Sequence, residues 1–147
     1  MKILFVSSRG GHFKELMCVY SIIDKQRNEI KIATVKDIST NKADYILSDI
    51  LRNPISFFKN LYESIKIIID FKPNLIISTG SGTTLNICIL GKIINSKVIY
   101  IDSLARIKDL SLTGKIIYKL RIANKFLVQW KNLIEKYPRA EYWGRII

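Results

Sequence analysis

The only histidine of the chain, His12, closes a glycine turn, Ser7-Ser8-Arg9-Gly10-Gly11-His12. Two consecutive glycines let the backbone approach an anion closely, and a helix starting here offers free N–H groups and the positive end of its dipole. A phosphate or diphosphate suits that chemistry, with Arg9, Gly10 and Gly11 around it. The turn is neither a GxxxxGK[ST] phosphate loop nor a GxGxxG dinucleotide turn. His12 suits a general base near neutral pH or a neutral donor to phosphate; a tight strand–helix turn with an idle histidine explains the same residues. A second turn, Ser78-Thr79-Gly80-Ser81-Gly82-Thr83-Thr84, repeats the pattern. The hydroxyls of Thr79 and Ser81 and the N–H groups of Gly80 and Gly82 make another cradle for an anion or a sugar, unless Ser81 or Thr83 simply caps the next helix. A third stretch, Tyr100-Ile101-Asp102-Ser103, ends an apolar run on a carboxylate, placed to bond a sugar hydroxyl, to orient a base or to cap a loop. Beyond it Arg106, Lys108, Lys115, Lys119, Arg121 and Lys125 face only Asp109 as an opposing charge. That run is either a solvated face or a contact for phosphate groups of a lipid or an acceptor.

These turns need elements to hold them. Lys2 to Val6 is apolar after its lysine and reads as a buried strand, followed by a helix from about His12 to Lys25 with Phe13, Leu16, Met17, Tyr20 and Ile23 on one face. Glu29 to Val35 reads as a strand, and residues 36 to 53 are polar and weakly patterned except for a short strand at Tyr45 to Leu47. Pro54 opens a helix to about Phe71, with Ile55, Phe58, Leu61, Tyr62, Ile65, Ile68 and Ile69 as its apolar stripe and Lys59, Lys66 and Lys72 alongside. The stripe either packs on a sheet or, with Phe57 and Phe58, lies in a membrane interface. Strands at Leu75 to Ser78, Lys97 to Asp102 and Phe126 to Val128 alternate with helices at Thr83 to Ile94, Leu112 to Asn124 and Asn132 to Tyr137. This alternation predicts an α/β domain, a Rossmann-like parallel sheet with helices on both faces. Ligands in such folds sit at the carboxyl ends of strands, where all three stretches fall.

Composition sets the limits. The chain has 147 residues, enough for one domain with a substantial core. It carries 24 Lys and Arg against 12 Asp and Glu, a net charge of +12, which implies an anionic partner, although an AT-rich genome also favours lysine codons. No nucleic-acid-binding motif and no interleaving of basic and aromatic residues supports DNA or RNA as that partner. Cys18 and Cys88 lie far apart, and with a single histidine they argue against a disulfide scaffold or a metal site and for a reducing compartment. Met1 to Val6 is too short an apolar run for a signal peptide, and no stretch approaches the ~18 apolar residues of a membrane span. A cytoplasmic or peripheral protein is expected, with no metal or cofactor.

The combination of motifs resembles the anchoring, acceptor-side subunit of two-subunit glycosyltransferases. The matching stretches are Ser7-Ser8 with Gly10-Gly11-His12, Ile77-Ser78-Thr79-Gly80-Ser81-Gly82, Val98 through Arg106, Ser111-Leu112-Thr113-Gly114-Lys115, Val128-Gln129-Trp130, Tyr137-Pro138 and Gly144-Arg145. The chain looks closer to the bacterial capsule and exopolysaccharide branch than to the eukaryotic branch that builds dolichol-linked oligosaccharides. The resemblance implies a split GT-B enzyme, this chain equivalent to the N-terminal half that binds a polyprenyl-diphosphate-linked saccharide at the cytoplasmic face of the plasma membrane. The partner chain brings the UDP-sugar, since 147 residues hold only one of two such domains. Carried over residue by residue, Gly10, Gly11 and His12 hold the acceptor diphosphate, with His12 the base toward the acceptor hydroxyl. Gly80, Ser81 and Gly82 form the second glycine turn, and Asp102 stands where many relatives have Glu. Arg9 brings a charge to a turn where small residues are usual. Membrane and anion contact falls to Lys59, Lys66, Arg106 and Lys108, and the segment Tyr142 to Ile147 is expected to dock on the partner. A non-catalytic scaffold that recruits and activates the partner is the alternative.

Overall fold

The computed structural model describes residues 1–38, 41–50 and 53–147. The weakly patterned segment 36 to 53 therefore lies partly outside the described residues. Seven parallel strands form one sheet in the order β3-β2-β1-β4-β5-β6-β7. They are β1 (Lys2–Ser7), β2 (Glu29–Val35), β3 (Tyr45–Leu47), β4 (Leu75–Ser78), β5 (Lys97–Ile101), β6 (Lys125–Val128) and β7 (Glu141–Tyr142). The helices are α1 (Gly11–Ile22), α2 (Pro54–Phe71), α3 (Leu85–Ile93), α4 (Leu112–Lys119) and α5 (Leu133–Lys136). This is the expected Rossmann-like architecture. Along β1, successive side chains feed opposite faces. Ile3 and Phe5 pack with Phe13 and Leu16 of α1, while Leu4 and Val6 pack with Ile67, Ile68 and Phe71 of α2 and Ile87 and Cys88 of α3. The chain turns from building one half of the sheet to the other between β1 and β4, the switch point that opens a crevice at the carboxyl edge.

Several boundaries differ from the sequence expectation. Helix α4 stops at Lys119 rather than Asn124, because Arg121 turns left-handed at φ 52° and Ile122 and Arg121 donate back to the Ile117 and Tyr118 carbonyls. Helix α1 ends at Ile22, short of Lys25, because Ile23 is extended. A 3₁₀ turn at Gly82–Thr84 precedes α3, where continuous helix was expected. Strand β7, a two-residue edge strand, carries too short a pattern to read in advance.

The largest difference concerns α2. Its start is as expected: the Asn53 side chain accepts from Ser56 N at 2.8 Å and Pro54 occupies the first turn. Its stripe, however, faces outward. Ile55, Phe58, Tyr62, Ile65 and Ile69 are exposed, spaced to share one side of the helix, while the inner side buries Asn60 and Ser64 together with Ile67, Ile68 and Phe71. Only Ile68 of the expected packing stripe is buried. The polar inner residues are satisfied: Asn60 Nδ2 donates to the Ser48 and Thr83 carbonyls, and Asn60 Oδ1 accepts from Asn86 Nδ2 and the Ser64 hydroxyl.

Candidate functional site

The two glycine turns meet at the switch point. His12 lies in the first turn of α1, and its Nδ1 stands 2.8 Å from the Thr79 carbonyl oxygen. A carbonyl only accepts, so Nδ1 carries the ring proton and the lone pair lies on Nε2. Thr79 returns the contact, its hydroxyl donating to the His12 carbonyl at 2.7 Å. Gly80 (φ +99°) is required by both neighbours: a Cβ there would stand 3.1 Å from the Tyr100 hydroxyl and 3.6 Å from the His12 ring. Ser81, at φ 80° and ψ 156°, holds a conformation that only glycine adopts freely, so strain is stored at the mouth of the site. His12, Ser81, Gly82, Ser103, Arg106, Ser111 and Thr113 line an open cleft of about 580 Å³. The start of α1 has no side-chain cap, and space is open beside Gly10 and Gly11, so its first-turn N–H groups remain available to an anion.

The other expected site residues separate into those that face the cleft and those that do not. Arg106 lines it, whereas Lys108 is exposed outside that lining. Arg9 is exposed and leans 3.6 Å from Asp49, whose carboxylate also accepts from the Thr83 hydroxyl. Lys59 and Lys66 are exposed on α2, with the Lys66 ammonium over the Tyr62 ring. Two readings are corrected. Thr79 is fully buried and spends its hydroxyl on His12, and Ser78 and Thr84 bond each other, so these three hydroxyls build the turn and, of its hydroxyl residues, only Ser81 lines the cleft. Asp102 is 1% exposed. Its Oδ1 accepts the Ser111 hydroxyl at 2.6 Å and its Oδ2 the Ser111 N–H at 2.9 Å. With both oxygens holding the start of α4, it is a cap rather than a group presented to substrate. Burial of Tyr100, with the Asp102 charge beside it, pushes the Tyr100 hydroxyl well above its ordinary pKa.

The model of the family described as "Oligosaccharide biosynthesis protein Alg14 like" matches residues 25–146. The chain belongs to the Alg14-like family. It is 32% identical to the UDP-N-acetylglucosamine transferase subunit ALG14 of Rattus norvegicus, covering 99% of this chain and 82% of that protein. With the subunit alg14 of Schizosaccharomyces pombe it shares 38% identity over 80% of this chain and 59% of the relative's length. Among solved structures it is similar to Acinetobacter baumannii MurG (TM-score 0.74, 13% identity) and to the UDP-N-acetylglucosamine 2-epimerase of Rickettsia bellii (TM-score 0.76, 14% identity). It covers 99% of itself in each comparison, but only 46% and 45% of those chains. These likenesses show the fold, a Rossmann-like unit about half the length of a GT-B glycosyltransferase or epimerase. The Alg14-like chain is thus similar to subunits of a glycosyltransferase, and no helix among its described residues is long and apolar enough to cross a membrane.

One buried group of this Alg14-like chain escaped the sequence reading. Glu15 follows His12 by one helical turn and is 5% exposed. It accepts from the Ser103 hydroxyl (3.3 Å), Leu104 N–H (3.3 Å) and Gln129 Nε2 (3.1 Å). Burial pushes its carboxyl up from the ordinary range, against these donors and the electrostatic pull of the His12 ring. The i, i+3 spacing of His12 and Glu15 was the available signal, since it puts both on one helix side.

Proposed function

We propose that this chain is the acceptor-binding subunit of a two-chain glycosyltransferase. It holds a polyprenyl-diphosphate-linked saccharide at the cytoplasmic face of the plasma membrane while a partner chain supplies a UDP-sugar, in capsule or exopolysaccharide synthesis. The observation that carries this reading is the state of His12: its Nδ1–H is held by the Thr79 carbonyl and its Nε2 lone pair is free, at the edge of a cleft that also contains Arg106. A base of this kind takes the proton from the acceptor hydroxyl as the sugar is transferred. The uncapped start of α1 and the Arg106 guanidinium suit the two phosphates. Membrane attachment is assigned to the outward stripe of α2 with Lys59 and Lys66. The partner is assigned to the opposite face of the sheet, where Ile22, Ile99, Leu127 and Trp143 line an apolar groove of about 440 Å³.

The test is transfer of labelled UDP-N-acetylglucosamine, the donor for which the relatives are named, to a polyprenyl-diphosphate saccharide in membranes. The chain, its candidate partner and the pair are assayed separately. Transfer only by the pair is expected, and His12→Ala in the pair should lower it at least about 100-fold, the usual worth of a general base. Full activity of the His12→Ala pair would favour the scaffold, in which His12 only clips the two turns together. Transfer by this chain alone would refute the divided enzyme.

A further inference from the structure

We propose that Glu15 is a positioning residue of the acceptor site, clamping the loop that carries Arg106 over the His12 cleft. The proposal rests on the acceptor-binding reading. Glu15 is a buried carboxylate that no Lys or Arg among the described residues pairs with. A buried charge held only by neutral donors is an expensive arrangement for stability alone, so the question is what it holds.

It holds the backbone of one residue of the β5–α4 connection, Leu104, from one side. Leu104 N–H donates to Glu15 Oε1 at 3.3 Å, while the Leu104 carbonyl accepts from Trp130 Nε1 at 2.6 Å. Ser103, Ala105 and Arg106 around Leu104 line the cleft. The carboxylate is itself fixed by Gln129, whose orientation is determined by its partners. Nε2 donates to Glu15 Oε2 and to the Asp102 carbonyl (3.0 Å), and Oε1 accepts from Ile146 N–H (3.0 Å). His12 and Glu15 ride on the same rigid helix, so Glu15 sets the distance between the base and the loop that carries the guanidinium. A charge-assisted bond to a backbone N–H is worth roughly a factor of ten or more in whatever it positions.

Glu15→Gln keeps the shape and removes the charge and one of the two acceptor oxygens, setting an NH₂ group against Leu104 N–H or the Gln129 amide. It is made in the full chain, and for the emission measurement alone it is combined with Trp143→Phe, so that Trp130 is the only indole; pyrophosphate binding and the kinetics of the pair use Glu15→Gln by itself, with Trp143 kept. Three readouts are taken: Trp130 emission, binding of inorganic pyrophosphate, and KM for the acceptor against kcat in the reconstituted pair. The expected result is red-shifted emission as the Trp130 N–H gains water, with weaker pyrophosphate binding. The acceptor KM rises about tenfold and kcat changes less than about threefold. Glu15→Asp keeps the charge but draws it back one methylene; it should give the same changes at smaller amplitude, and it carries the test if the Gln variant does not fold. Unchanged emission and unchanged KM in a folded variant would overturn the proposal, as would a fall in kcat at constant KM. If the wild-type pair neither transfers sugar nor binds pyrophosphate while the emission still shifts, the acceptor reading fails and the clamp on the loop stands.

Discussion

The outward stripe of α2 makes a quantitative prediction about membranes. Full burial of a side chain such as Ile or Phe is worth about 1.5–3 kcal/mol, and Phe58 is 64% exposed and Ile55 82%. Removing Phe58 from a lipid interface therefore costs about 1–2 kcal/mol, roughly a factor of 5 to 30 in partitioning. Lys59 and Lys66 add about 1 kcal/mol each, but only against anionic lipid and only at modest salt. Phe58→Ser should then weaken binding to phosphatidylglycerol-containing vesicles by about tenfold at any salt concentration. The pair Lys59→Gln and Lys66→Gln should weaken it about thirtyfold at low salt and much less at high salt. Both sets of side chains are exposed, so thermal unfolding should be little changed. Co-sedimentation with vesicles of phosphatidylcholine alone and with added phosphatidylglycerol separates the two contributions. Equal binding of Phe58→Ser and wild type would refute the reasoning, because binding would then follow the +12 net charge rather than this face.

Three further outcomes are expected. Asp102→Asn places an amide against the Ser111 N–H and hydroxyl, which should cost about 2 kcal/mol and lower Tm by roughly 6–8 °C in a circular-dichroism melt. Lost transfer at unchanged Tm would instead return Asp102 to the chemistry. Gly80→Ala forces a Cβ to within 3.1 Å of the Tyr100 hydroxyl at φ +99°, a strain of about 1–3 kcal/mol; a loss of pyrophosphate binding larger than the loss of Tm is expected, and wild-type values for both would show that the turn yields. Burial raises the Glu15 carboxyl above the ordinary carboxylate range, so just above that range the folded chain still holds a proton that the unfolded chain has released. Stability contributed through Glu15 should fall as pH rises from the ordinary carboxylate range through the raised one, and the melting difference between wild type and Glu15→Gln should move against wild type over that rise. A difference that is flat with pH would show that the carboxyl is not perturbed.

The strand–helix alternation was readable because each crossover leaves its own punctuation: Pro54 at the start of α2, Pro73 after its end, and glycine turns after β1 and β4. The same punctuation located the His12 cleft, since chain order alone puts both turns at the switch point. Periodicity gave the stripe of α2 but not its direction, because a 3.6-residue repeat is identical whether the stripe faces a sheet or lipid. The opposing side carried the information. Asn60 and Ser64 share it with Ile67, Ile68 and Phe71, and polar residues inside an otherwise apolar inner face imply fixed partners. Those partners are the Ser48 and Thr83 carbonyls and Asn86, so the polar interior of α2 ties the segment after β3, the end of the second glycine turn and α3 together. Asp102 and Glu15 exchanged roles for a similar reason. A carboxylate's type and position in sequence do not reveal its donors, and here the strand-end Asp102 is consumed by Ser111. The mid-helix Glu15 instead reaches the cleft loop through Leu104. Two of the features that sequence could not resolve therefore act on the cleft, one gripping its floor from α2 and the other its rim from α1. The proposed lipid-facing helix and the His12 turn both bond the second glycine turn, Asn60 at the Thr83 carbonyl and His12 at Thr79. A helix seated on a membrane surface would hold the mouth of the cleft at a fixed height above the lipid, which is what a diphosphate anchored by its polyprenyl chain requires.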